Sequence, residues 1–247
     1  MKKHSLLILL VTLILPFSSV VLANDYQLGI YELNRGQFKA AMAQFEPLAE
    51  DGFTPAQYQL AMMYKNGQGV RKNTQKAFEL LTLAAKQNDS DAQFDLSLMY
   101  SEGNVVEKDL IKAFNLMTRS ANKGLASAQY NLGVMYYKGQ GVAKDNVKAA
   151  DWYQKAAKLN YALAQFNLAL MYFEGEGVEK SLDKSYIWNV IASYNGYDDA
   201  TKSRDMDAHK LTKAEVTSAK EKADEIYRKI IQQAEINAKK ANEKRFY

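Results

Sequence analysis

Apolar residues return every three or four positions between residues 55 and 196, and the whole pattern returns every 36 residues. The segments PAQYQLAMMYKNGQGV, DAQFDLSLMYSEGNVV, SAQYNLGVMYYKGQGV and LAQFNLALMYFEGEGV begin at 55, 91, 127 and 163, with no insertion between copies. In the first copy Ala56, Leu60, Ala61 and Tyr64 fall on one face of a helix, and downstream Ala77, Leu80, Leu81, Ala84 and Ala85 do the same. Nothing alternates with period two and β-branched residues are sparse, which excludes strands. The spacing therefore predicts four helical hairpins over 53–88, 89–124, 125–160 and 161–196. A hairpin cannot bury its apolar stripe alone, so the units must stack. The expected fold is all-α, a right-handed α-solenoid of helix-turn-helix repeats with a 36-residue period and a long C-terminal capping helix.

The residues at the predicted helix ends agree column by column. Asn73, Asp109, Asp145 and Ser181 each carry a short side-chain oxygen that can cap a helix start. Gly52, Asn88, Gly124, Asn160 and Gly196 are the residue types that most cheaply close a helix in the left-handed conformation. Thr54-Pro55 reads as a cap followed by a first-turn proline. The columns Ala61, Ser97, Gly133, Ala169 and Ala85, Ala121, Ala157, Ser193 are small and let helices approach closely. Residues 24–52 read as an N-terminal, tetratricopeptide-like capping unit with a loop four residues shorter. Residues 197–247 read as a polar half-unit followed by the long helix, which opens at a Thr212/Glu215 capping box and runs to about Ala241. Its stripe of Val216, Ala219, Ala223, Ile226, Ile230 and Ala234 is expected to close the last repeat.

Each hairpin turns through a glycine-rich heptad, the first being YKNGQGV at 64–70. A phosphate loop would need a strand before the glycines and a correctly placed lysine. Here a helix is predicted on both sides and that lysine is missing. Gly67, Gly103, Gly139 and Gly175 recur in every internal copy and read as the helix exit. The second glycine becomes Val105 once and reads as a relaxed loop position, while Val70, Val106, Val142 and Val178 pin the loop to the core.

Composition narrows the function classes. The 247 residues are 47% hydrophobic and 24% charged with three prolines, which fits a folded chain and no long flexible linker. Residues 1–23 carry a basic start (MKKH), a short apolar stretch and small residues Val21 and Ala23 before a cleavage point. That is the pattern of a signal peptide, so the expectation is export to the periplasm or beyond, without a membrane anchor after cleavage. Setting aside Lys2 and Lys3 leaves 30 basic against 28 acidic side chains, too balanced to suggest nucleic acid. There is no cysteine, so packing alone must stabilise the fold.

The motif AQYNLGVMYYKGQGV…KAADWYQKAA resembles the Sel1-like repeat, a loop-lengthened relative of the tetratricopeptide repeat, and the resemblance covers residues 26 to about 212. It departs from that pattern at Val105, and the usual Leu-Gly pair survives only at Leu28-Gly29 and Leu132-Gly133. The resemblance implies a scaffold or adaptor for other proteins, and exported bacterial members are linked with envelope processes or host contact. A cysteine-rich branch is linked with β-lactams and peptidoglycan-like compounds, but none of its cysteines is present here.

No catalytic residue, metal site or cofactor is assigned from the sequence. His209 is the single histidine after residue 23 and reads as an exposed helix residue, while Glu102, Glu174 and Glu176 read as solvated loop charge. In tetratricopeptide-type arrays the first helix of each unit lines a concave groove, and that implication selects four columns. Tyr58, Phe94, Tyr130 and Phe166 read as packing between units; Met62, Leu98, Val134 and Leu170 follow them. Lys65, Ser101, Tyr137 and Phe173 change chemistry from copy to copy, and their neighbours Asn66, Glu102, Lys138 and Glu174 mix both signs of charge. Variation inside a regular frame suits a surface that reads a partner, with Tyr137, Lys138, Phe173 and Glu174 as the preferred patch. The expected function is a protein-interaction scaffold of the bacterial cell envelope, binding a protein or peptide in that groove. Two alternatives are a binder or hydrolase of peptidoglycan fragments or β-lactams, and a structural protein that self-assembles through its C-terminal helix.

Overall fold

The computed structural model describes residues 17–243, with side chains from Asn24 to Lys240. Residues 1–16 of the expected signal peptide lie outside the described residues, and residues 17–23 form the first turns of helix α1. The described residues form twelve helices and no strand: α1 (Phe17–Asn34), α2 (Phe38–Glu50), α3 (Thr54–Asn66), α4 (Thr74–Lys86), α5 (Ser90–Glu102), α6 (Leu110–Asn122), α7 (Ala126–Lys138), α8 (Asn146–Lys158), α9 (Ala162–Glu174), α10 (Leu182–Tyr194), α11 (Asp198–Ala208) and α12 (Lys213–Glu243). The chain divides into two compact units, one ending at Leu83 and the other starting at Ala84, within α4. In the first unit α1 packs on α2 and α2 on α3. In the second, each helix from α5 to α9 packs on the next, and α10 packs against α9, α11 and α12. This is the all-α solenoid architecture of stacked hairpins.

The cap chemistry forms as the sequence predicts. Asp109, Asp145 and Ser181 accept from the backbone N–H of Lys112, Lys148 and Lys184, and Asn73 Oδ1 accepts from Lys76 N at 3.0 Å. Asn88 and Asn160 adopt φ of 68° and 65°, joining Gly52, Gly124 and Gly196 in the left-handed region. Thr54 differs from expectation: the cap of α3 is Phe53, without a side-chain hydrogen bond, and Thr54 is already helical.

A column without an assigned role in the sequence joins successive hairpins. Gln57, Gln93, Gln129 and Gln165 are buried, and each donates its Nε2 to the carbonyl eight residues earlier, on Ala49, Ala85, Ala121 and Ala157, at 3.1–3.3 Å. The carbonyls lie in the last turn of the preceding helix, where each also accepts from the backbone N–H three residues on and offers its second lone pair to the amide. The amide thus fixes how each first helix leaves its predecessor.

The small column also acquires a geometric reason. A Cβ at Gly133 would lie 2.7 Å from the ring of Tyr153 on α8, and one at Gly29 would collide with the ring of Phe45 on α2. Glycine occurs where the partner column on the second helix is aromatic, so the two columns trade volume at close packing. At Ser97 the hydroxyl instead donates to Ala113 O at 2.7 Å.

The second loop glycine is not a relaxed position. Gly69, Gly141 and Gly177 have φ of 75°, 72° and 70°, and a Cβ on them would run into the backbone of Phe38, Leu110 and Asn146. Each loop is seated on the first turn of the preceding unit's second helix. The conclusion drawn from Val105 alone is therefore corrected: the residue there is not in the left-handed region, so its loop takes another course.

At the C-terminal end, Thr212 and Glu215 form the expected capping box, with Thr212 N donating to Glu215 Oε2 at 2.8 Å. Ala219, Ala223 and Ile230 bury against α10 and its neighbours, but Ala234 is exposed, so the apolar stripe ends one turn earlier than the sequence suggests.

Two alanine substitutions at left-handed glycines separate conformational cost from contact cost. Gly124 has φ of 90° and open space around its Cβ position, so Gly124→Ala should cost about 1 kcal/mol. Gly141→Ala meets the Leu110 carbonyl as well and should cost at least about 2–3 kcal/mol. Urea denaturation followed by circular dichroism compares them, and equal costs would show that the loop is not seated on α6.

Candidate functional site

The predicted contact residues fall at the C-terminal ends of the first helices. Lys65 and Asn66 end α3 in the first unit. In the second unit Ser101 and Glu102 end α5, where Glu102 accepts from Asn104, and these two line neither of the cavities described below. Tyr137 and Lys138 end α7, and Phe173 and Glu174 end α9.

Two cavities open on this face. The first, of about 200 Å³, is lined from α7 by Tyr130, Val134, Tyr137 and Lys138, from α8 by Tyr153, and from α9 by Asn167, Leu170, Met171 and Glu174. The second, of about 110 Å³, is lined from α9 by Phe166, Leu170 and Phe173, from α10 by Ser185 and Asn189, and beyond them by Ser203, Met206, Asp207 and Lys210. Adding 36 to Tyr130, Val134, Tyr137, Tyr153, Asn167, Leu170, Met171 and Glu174 reproduces Phe166, Leu170, Phe173, Asn189, Ser203, Met206, Asp207 and Lys210. The two cavities are one cavity repeated at the period of the sequence. The preferred patch is thereby divided: Tyr137, Lys138 and Glu174 line the first, and Phe173 lines the second.

The aromatic anchors are half-buried rather than exposed, because each is held by neighbours. The Glu176 carboxylate beside the Tyr137 phenol, then burial, then the charges of Glu176 and Glu174 raise its pKa above the ordinary phenol value. The Lys144 ammonium lies 5.2 Å from the Tyr137 ring centroid. Phe173 carries Lys210 at 4.3 Å and Lys180 at 5.9 Å from its centroid. Tyr130 does the packing expected of its column, with ring centroids 5.1 Å from Tyr161 and 5.7 Å from Tyr153. Its hydroxyl accepts from Asn167 Nδ2 at 3.4 Å. Burial raises the pKa of Tyr153, so its phenol stays protonated and neutral in the cavity wall.

The floor of the second cavity is of another kind. Three columns that are apolar in every earlier internal copy turn polar together. Ala77, Ala113 and Ala149 give way to Ser185; Leu81, Met117 and Tyr153 to Asn189; Met63, Met99, Met135 and Met171 to Asp207. All three are buried, at 1%, 3% and 2% exposure, so they are not a solvated end cap. Ser185 Oγ donates to Asp207 Oδ2 at 2.7 Å and Asn189 Nδ2 donates to the same oxygen at 2.9 Å. Desolvation raises the Asp207 pKa, opposed by these two hydrogen bonds and by Lys210. In the sequence the trio is visible as three helix-interior columns that change together at the 36-residue offset, whereas the helix-end columns carry no sign of it.

Among the described residues no cluster of ligating side chains suits a metal ion, and no helix is long and apolar enough to cross a membrane. The chain matches the Sel1 repeat over residues 54–89, 90–125, 126–161 and 162–197. Among solved structures it is similar to c5321, a protective antigen present in uropathogenic Escherichia coli strains displaying an SLR fold, with 31% identity and a TM-score of 0.78 over 89% of this chain. The chain spans 48% of c5321's length in that comparison. A Sel1 repeat protein from Oxalobacter formigenes is similar at 27% identity and a TM-score of 0.71, over 86% of this chain and 91% of that one. No curated protein matches the chain. Four tandem matches on four observed hairpins place the chain in the Sel1 repeat family.

Proposed function

We propose that this protein is a binding scaffold of the bacterial cell envelope that holds a partner protein or peptide on the face formed by α7, α9 and α11. Sel1 repeat proteins generally mediate protein–protein interactions and are typically non-enzymatic. The observation that carries the reading is the cavity repeated one unit apart. At about 200 and 110 Å³ each copy is smaller than the roughly 300 Å³ at which small-molecule and cofactor sites begin, so each suits one side chain of a larger ligand. Half-buried aromatic walls with charges at the rim are the surroundings in which interface anchors concentrate binding energy. The envelope location rests on the leader pattern of residues 1–23 and agrees with the description of c5321 as a protective antigen. Binding without catalysis suffices for this role.

Leu170 lines both cavities and is 41% exposed, which makes it the residue to block. Leu170→Arg should weaken capture of a partner from envelope extract by at least about tenfold, or ~1.4 kcal/mol, with helical content and melting unchanged. The exposed Ile111→Arg, on α6, serves as control. Equal capture by Leu170→Arg and the unmodified chain would reject this face.

A further inference from the structure

The two cavities share a frame but not a chemistry, and the difference identifies a ligand class. In the second cavity the wall is apolar and aromatic, from Phe166, Leu170, Phe173 and Met206, while the floor is the buried trio of Ser185, Asn189 and Asp207. Within the trio Asp207 Oδ2 already accepts from Ser185 and Asn189, and the acceptor left in want of a donor is Asn189 Oδ1. Asp207 Oδ2 orients the Asn189 amide by accepting from its Nδ2, which leaves Asn189 Oδ1 buried with no hydrogen-bond donor among the described residues. A buried acceptor without a donor is costly, and so is a buried carboxylate without a cation. Lys210 acts on Asp207 only through its field, lowering the pKa that burial raises, and makes no ion pair with it. Its ammonium sits over the Phe173 ring, at the rim of the cavity.

We propose that this cavity is a specificity pocket for the side chain of a lysine on the partner, its methylenes against Leu170 and Met206 and its ammonium donating to Asp207 and Asn189 Oδ1. An ammonium offers three donors and a compact charge on an apolar stem, which matches acceptors at the end of an apolar slot of about 110 Å³. The aromatic wall is suited to cations, since Phe173 already carries one. Three core columns converted together to Ser, Asn and Asp place the acceptors at one point, at the single repeat where the polar α11 follows. The upstream copy, with Tyr153 and Met171 in the same places, takes an apolar or aromatic side chain instead. This inference rests on the reading of the α7–α9–α11 face as a partner-binding surface and names what one part of it reads.

The test is NMR titration of the full chain with Nα-acetyl-lysine methylamide, against the norleucine compound, which keeps the four-carbon stem and lacks the ammonium. The lysine compound should shift the Asn189 side-chain amide and the Phe173 ring saturably, with Kd on the order of millimolar, as expected for a single anchored side chain. The norleucine compound should bind at least about tenfold more weakly. Asp207→Asn should abolish the preference for lysine while keeping the fold, because the introduced amide oxygen still accepts from Ser185 and Asn189. Lys210→Ala should tighten binding by removing a like charge that competes for Phe173. Equal binding of the two compounds, lysine binding that survives Asp207→Asn, weaker binding in Lys210→Ala, or no shift at these residues overturns the proposal. Partner capture by Leu170→Arg fails or survives separately from this titration, so the face and the pocket are judged apart.

Discussion

A buried glutamine amide joins each Sel1 repeat to the element before it, and the regularity of the face depends on that bond. Gln57, Gln93, Gln129 and Gln165 reach back eight residues to a carbonyl in the last turn of the previous helix, each time with the same donor atom and nearly the same distance. Within the second unit, loop glycines Gly141 and Gly177 complete the seating by bringing backbone against backbone on the preceding helix start. With the step set in this way, side chains 36 residues apart occupy equivalent surroundings. That is why a cavity formed between α7 and α9 is formed again between α9 and α11.

A constant frame lets substitution at a few columns change the chemistry and the size of a cavity, about 200 Å³ in one copy and about 110 Å³ in the next, while its walls come from the same columns. The second cavity illustrates the cost. Replacing Ala, Leu or Met types in a core by Ser, Asn and Asp removes apolar contact and buries a carboxylate, and such groups often stabilise a fold less than the apolar residues they replace. Two hydrogen bonds to Asp207 offset part of that cost, while the unpartnered Asn189 Oδ1 and the desolvated carboxylate retain the rest. A residual cost that a donor on a partner would relieve is the signature of a site rather than of a core.

Helix number, caps and hairpin ends were legible in the sequence because each depends on local chemistry repeated in register. Asp109, Asp145 and Ser181 cap, and Asn88 and Asn160 turn left-handed, as isolated short stretches would suggest. What escaped depends on neighbours distant in the chain. Gly141 and Gly177 look dispensable beside Val105 until the carbonyls of Leu110 and Asn146 are seen against them. Tyr137 reads as a contact residue of the groove until Glu176 and Lys144 are found beside it. The grouping of Tyr137, Lys138 and Glu174 was legible from their columns, yet Ser185, Asn189 and Asp207 were not recognised, although the same column logic applied to the helix interiors would have exposed them.

The central claim is that the repeated cavity, and not the outer side of the hairpins, meets the partner. A photo-crosslinking amino acid placed at position 170, between the two cavities, and at exposed position 111 on α6 tests it in living cells. The account predicts a discrete light-dependent adduct from position 170 that is missing from position 111. An adduct from position 111 with none from position 170 would contradict it.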